Sequence, residues 1–146
     1  MADLKLARRC ADTMTANDRA SKMLGIEIEI PAVGEAVATM TVRDDMVNGF
    51  DVLHGGLTFA LADTAFAFAC NAYDALSVAA SAQIEFLRPA MRGDVLTATA
   101  TEDHRGRRSG YYSVEVRNQQ GELIALFRGR SATKSDTSIL EKSVNP

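Results

Sequence analysis

The chain has no tryptophan, three prolines, two cysteines and two histidines in 146 residues. Cys10 and Cys70 stand far apart, with no C-x-x-C or Cys/His spacing, so neither a disulfide framework nor a zinc site is indicated. His54 and His104 are too few for a histidine-rich metal centre. Positive charge is not in excess: the formal net charge is −3 and the pI is near 5.4, which argues against general nucleic-acid binding. The N-terminus, MADLKLARRCADTM, is charged and lacks the apolar centre of a secretory signal. No G-x-S-x-G elbow is present, which disfavours a serine hydrolase of the α/β type. No internal repeat or inter-domain linker is visible. A reducing, cytoplasmic location is the resulting expectation.

Apolar residues make up 47% of the chain and charged ones 24%, ordinary for a globular protein with a real core. The most informative stretch is HGGLTFALADTAFAFACNAY, residues 54–73. Between Asp51 and Asp74 its one formally charged residue is Asp63. Alanines, leucines and phenylalanines go all the way round this helix, so it belongs in an interior. A membrane span is disfavoured by Asp63 and by the polar Thr58, Thr64 and Asn71. A buried carboxylate is costly, and such groups concentrate at functional sites, although structural networks also bury acids.

The stretch before it, Asn48-Gly49-Phe50-Asp51-Val52-Leu53-His54-Gly55-Gly56, opens the helix. The first helical turn carries N–H groups without intrahelical partners and a partial positive charge. Gly55 and Gly56 leave those groups uncovered, so an oxygen with developing negative charge can approach. Asn48 and His54 offer a further donor or an orienting group. Asp63 lies eight residues beyond Gly55, roughly 12 Å along the axis. The attacking group and the oxygen-holding group must both lie within roughly 3 Å of the reacting atoms. One straight helix cannot supply both. Either Asp63 and the glycines are unrelated, or a second copy of the helix, antiparallel in a two-fold dimer, completes the site.

The remaining pattern predicts an α+β fold. Residues 3–23 read as one or two short helices with a Leu4, Ala7, Ala11, Met14 stripe, and Asn17 as the cap of the second. Strands follow at Ile26–Ile30 and Glu35–Val42, a hairpin, and after the helix at Ser77–Leu87, Val95–Thr101, Tyr111–Arg117 and Leu123–Arg128. In Ser77–Leu87 the residues Val78, Ala80, Ala82, Ile84 and Phe86 alternate with Ser81, Gln83 and Glu85, as on two faces. One domain over residues 1–133 is expected, with a polar, frayed tail at 134–146.

Three runs together resemble a known family: N-G-x-x-x-x-H-G-G, the helix segment L-A-D-T-A-F-A, and A-S-A-Q-I-E-F-L-R-P-A-x-x-G-D. They are similar to the hotdog-fold acyl-CoA thioesterases, closest to the PaaI subgroup named for phenylacetic acid degradation. The resemblance spans roughly residues 24–133. It implies a curled antiparallel sheet around one long helix, in dimers that pair into tetramers, with active sites shared across each dimer. It further implies hydrolysis of an acyl-CoA thioester, an aryl-acetyl one in this subgroup, with no cofactor and no metal. By position, Asp63 matches the acid that attacks the thioester or activates water. Gly55 matches the backbone donor, assisted by Asn48 and His54, and Ser81 matches a positioning hydroxyl. On the alternation above, Ser81 points away from the Ile84/Phe86 face unless the strand is bulged. Coenzyme A phosphates call for a basic rim, for which Arg88, Arg107 and Arg108 are candidates, with Arg105 and Arg130 beside them. Gly56 joins Gly55 as a substrate-binding amide. Phe50, Phe59 and Tyr73 are candidates for an acyl pocket or for the core. A non-catalytic acyl-thioester binder on the same fold is the competing reading. A hydratase is a third, but the downstream histidine it requires is not found.

Overall fold

The computed structural model describes residues 3–142. Two helices open the chain, α1 (Leu4–Asn17) and α2 (Arg19–Leu24), and strands β1 (Glu27–Glu29) and β2 (Glu35–Thr41) follow. A 3-10 turn at Asp44–Met46 leads to the long helix α3 (Gly55–Cys70). Then come β3 (Leu76–Phe86), β4 (Val95–Arg105), β5 (Ser109–Arg117), β6 (Leu123–Lys134) and the short α4 (Ile139–Lys142). The six strands form one antiparallel sheet in the order β1-β2-β4-β5-β6-β3, so the strand that follows α3 in sequence lies at the far edge.

Helix α3 lies across the middle of this sheet because the strands beneath it present small side chains. Ala38 pairs with Ala98, which pairs with Val116, and Ala36 pairs with Ala100, which pairs with Val114. All of these are buried, and they let the helix backbone approach closely. The larger residues fill the flank: Phe66 packs on Tyr112 (5.5 Å between centroids) and on Phe127 (5.8 Å). Gly129 makes room for Phe66, since a Cβ there would sit 2.8 Å from its ring. Leu96, Ala98 and Ala100 alternate inward along β4, as their period of two predicts.

Three expectations need correction. The cap of α2 is Asp18, not Asn17: its carboxylate accepts the Ser21 N–H at 3.0 Å. Val78 does not share a face with Ile84 and Phe86. The β3/β6 register shifts between Ala79 and Ser81, so one extra residue swaps the faces, leaving Ser77 buried and Val78 exposed. The segment after Lys134 is not frayed through residue 142; the rest of the expected tail, 143–146, lies outside the described residues. Asp74, in the left-handed conformation at φ 55°, accepts the N–H groups of Ile139 and Leu140 and the Ser138 hydroxyl, which seats Ile139 in the interior. Among the described residues, no helix is long and apolar enough to cross a membrane.

Candidate active site

The loop before α3 is built to hold its shape. The Asn48 N–H donates to the Val52 carbonyl at 2.8 Å, and the Asn48 side-chain oxygen accepts the N–H of Phe50 at 2.9 Å and of Val52 at 3.4 Å. Arg92 bridges Asp44 and Asp51, and Asp51 takes the left-handed conformation at φ 63°. Isolated bridges, Val47 to Leu53 and Val52 to Met91, tie the loop to the body. Asn48 therefore shapes the turn with its oxygen, and only its amide nitrogen is left to face a ligand.

His54 is the cap of α3: its Nδ1 accepts the Gly56 N–H at 3.1 Å. A ring nitrogen that accepts carries no proton, so the imidazole proton sits on Nε2 and is available as a donor. This corrects the reading of two uncovered amides. The Gly56 N–H is already taken, and Leu57 and Thr58 both donate to the His54 carbonyl. The Gly55 N–H, as the first of the helix, has no acceptor among the described residues and is the one amide open at this terminus.

Beside it lies an open groove of about 330 Å³, lined by Val52, Leu53, Gly55, Thr58, Phe86 and Ile124 among others, with Arg88 at its mouth. Arg88 is ion-paired with Glu122 at 2.8 Å. The ring of Phe86 stands against Gly55: a Cβ on Gly55 would be 3.2 Å from the Phe86 Cζ. Sequence reasoning did not single out Phe86, because a whole helix and a strand separate it from the glycine in the chain and hide the contact. A groove wall is not a periodic signal.

Asp63 is half-buried on the one open face of α3, which it shares with Gly56, Ala60 and Ala67. Its carboxylate has no hydrogen-bond or ionic partner among the described residues, and burial alone pushes its pKa above the ordinary value. Within one chain the groove at Gly55 does not include Asp63. The structure thus keeps apart the acid and the amide that the helix spacing separates.

The other candidates fall elsewhere. Ser81 pairs with Arg130 on edge strand β3 and lines an outer groove with Gln83, Tyr111, Arg128 and Arg130, so the bulge before it does not turn it toward Asp63 within the chain. Arg107 and Arg108 are exposed in the β4–β5 turn. That turn adjoins Tyr73, over whose ring Arg105 lies at 3.8 Å, and so sits at the C-terminal end of α3, away from Gly55. Phe59 packs edge-on against Phe127 (5.3 Å) and Tyr73 donates to Glu102 (2.8 Å), so both belong to the packed body. Phe50 is 89% exposed at the loop tip, and His104 is a surface residue beside Tyr111.

A six-stranded antiparallel sheet with one long helix laid across it, the helix entered through a rigid loop that leaves an amide free, is the hotdog architecture. Comparison with known proteins agrees. The family model described as the thioesterase superfamily matches residues 50–125. The acyl-coenzyme A thioesterase PaaI of Escherichia coli K12 is 50% identical over 83% of this chain and 86% of its own length. A solved structure of the E. coli PaaI protein from the phenylacetic acid degradation operon superposes with a TM-score of 0.87 at 48% identity, covering 88% of this chain and 94% of that one. A substituted form of the phenylacetic acid degradation protein PaaI from Thermus thermophilus gives a TM-score of 0.75 at 38% identity, over 79% of this chain and 98% of that one. The chain belongs to the thioesterase superfamily, and within it is a thioester hydrolase of the PaaI type.

Proposed function

We propose that this protein hydrolyses acyl-CoA thioesters, aryl-acetyl-CoA above all, at a site that two copies of the chain build together. The Gly55 N–H of one copy holds the thioester oxygen as negative charge develops on it, at the positive end of α3. Asp63 of the other copy either attacks the carbonyl carbon, expelling the thiolate and leaving a mixed anhydride that water then opens, or takes the proton of a water that attacks directly. Coenzyme A leaves as the thiol and the acyl group as the free acid. The observation that carries this reading is a free amide and an unpaired, desolvated acid on one helix, too far apart to meet on the same carbonyl.

Further features support the pairing. Gly56, Ala60 and Ala67 beside Asp63 are small, so a second α3 can approach closely. Strand β3, 11 residues long, is a sheet edge with Val78 exposed, whereas natural edges are usually short or covered. An antiparallel, two-fold pairing of the helices sets the C-terminal end of one α3 beside the N-terminal end of the other. The second copy's β4–β5 turn then comes to the same mouth as Arg88, and Arg107 and Arg108 serve the coenzyme phosphates from across the dimer. Ser81, on the edge strand at the seam, is the positioning hydroxyl of this reading. Cys10 and Cys70 are buried free thiols, which suits a cytoplasmic enzyme.

Mixed dimers test the shared site. Gly55→Pro removes the one amide hydrogen at issue and crowds Phe86 in the same half-site, and proline is well tolerated at the first helical position. The preceding His54 has ψ 129°, already suited to a following proline. Gly55→Pro and Asp63→Asn homodimers are expected to release little thiol. Co-refolded chains should regain about a quarter of wild-type activity, because half the dimers are mixed and each holds one intact site. No regain from demonstrated mixed dimers would sink the shared site. Wild-type protein that binds but never cleaves acyl-CoA would favour the non-catalytic binder.

A further inference from the structure

We infer that Phe86 selects the acyl group, admitting flat aromatic acyl groups in preference to aliphatic ones. The inference rests on the reading of Gly55 as the oxygen-holding amide. A carbonyl oxygen must come within roughly 3 Å of that N–H. The Phe86 Cζ and Cε1 atoms lie 3.2 and 3.3 Å from where a Gly55 Cβ would be, so this ring borders the space beside that amide, where one of the carbonyl's two substituents must lie. Phe86 is fixed through its backbone, and its ring is open. Phe86 pairs with Ala125 across the β3/β6 ladder, and the next two N–H groups, of Leu87 and Arg88, both donate to the Ile124 carbonyl. That fixes the backbone at the end of the strand. Yet 56% of Phe86 is exposed, and it lines the groove with the apolar Val52, Leu53 and Ile124, with Thr58 and with Arg88 among others.

An aromatic ring at the edge of such a groove favours a second ring, edge-on or offset, beyond what burial of equal apolar area supplies. The groove, about 330 Å³, is at the small end of the range for small-molecule sites. Phe86 has no group that titrates or attacks, so its contribution is to selection and placement.

The experiment measures thiol release from phenylacetyl-CoA and hexanoyl-CoA by wild type, Phe86→Leu and Phe86→Ala. Phe86→Ala is expected to lower kcat/KM for phenylacetyl-CoA about tenfold more than for hexanoyl-CoA, mostly through KM, with Phe86→Leu between. Competitive inhibition by phenylacetate should weaken in parallel. A phenylacetyl-to-hexanoyl ratio that stays within twofold of wild type in both variants overturns the inference, as does an equal loss on both substrates. Neither result touches the hydrolysis reading, which fails only if wild type releases no thiol at all. If Phe86→Ala does not fold, the Phe86→Leu ratio decides alone.

Discussion

The two ends of α3 are built on opposite plans. At its C-terminus the neighbouring polar side chains are tied down. The Asn71 side chain donates to the carbonyls of Ala67 and Ser77 and accepts the Ser77 N–H at 2.8 Å. Tyr73 and the buried Tyr112 both donate to Glu102, and Arg105 covers the Tyr73 ring. Burial first, and then the Glu102 carboxylate, push the Tyr73 hydroxyl up to about 12, so it stays a donor at any physiological pH. Asp74 reaches on to fasten α4. At the N-terminus one amide is left open beside an accessible groove. An amide open to water costs little stability, and a ligand oxygen entering the groove can take the water's place. The closed end secures the helix so that the open end can stay open.

That contrast breaks most visibly at Asp63, between the two ends. Asp63→Asn is expected to cut turnover at least a hundredfold, about 2.7 kcal/mol of barrier, while the melting temperature holds or rises. Turnover within a few-fold of wild type would remove Asp63 from the chemistry. At the closed end the expectation is reversed. Glu102→Ala strands the hydroxyl of Tyr112, which is 1% exposed, and should cost about 2–3 kcal/mol, or roughly 5–10 °C of melting temperature. Its kcat at 25 °C should stay within about twofold, since lost stability need not touch the reacting atoms. A Glu102→Ala protein that melts normally but turns over slowly would erase the distinction between the ends.

The open end was largely legible in the sequence and the closed end was not. Asp63 stands out in an apolar helix because charge and hydropathy are local properties, and Gly55 because a glycine at a helix start has a local meaning. The Tyr73–Glu102–Tyr112 network joins the loop after α3 to strands β4 and β5, with one hydrogen bond spanning 29 positions, and no spacing rule reaches that far. The β3 alternation misled for a different reason. A single extra residue near Ala80 exchanges the two faces, and an alanine-rich stretch carries too little contrast to mark the exchange. Gly56 was misread because the cap came from a histidine, whose ring nitrogen took the amide.

His54 sharpens the comparison by a smaller amount. His54→Ala removes the cap of α3 and should cost about 1 kcal/mol, a few degrees of melting temperature. It also frees a second amide beside Gly55, so two donors would compete for one oxygen and kcat should fall more than stability alone explains. Thermal melts and initial rates on the same preparation separate the two. Unchanged kcat with a lowered melting temperature would reduce His54 to a cap.

The smallest effect is a pH dependence, and its sign is diagnostic. Burial raises the Asp63 pKa from its ordinary 3.8, so the folded chain binds this proton more tightly than the unfolded chain does. As pH rises from 3.8 through the raised value, the folded state must carry an ill-solvated charge, and Asp63 takes stability away. Asp45 runs the other way: its bond with Arg43 lowers its pKa, so its contribution is lost on acidification. The melting-temperature gain of Asp63→Asn over wild type should therefore be nil in strong acid, grow as pH climbs past 3.8, and level off above the folded value. Wild-type turnover should climb over the same window, because only the ionised acid can attack or accept a proton. A gain that instead shrinks with rising pH would mean that Asp63 is paired in the assembled enzyme, and that the open face of α3 is closed by a cation from the second chain.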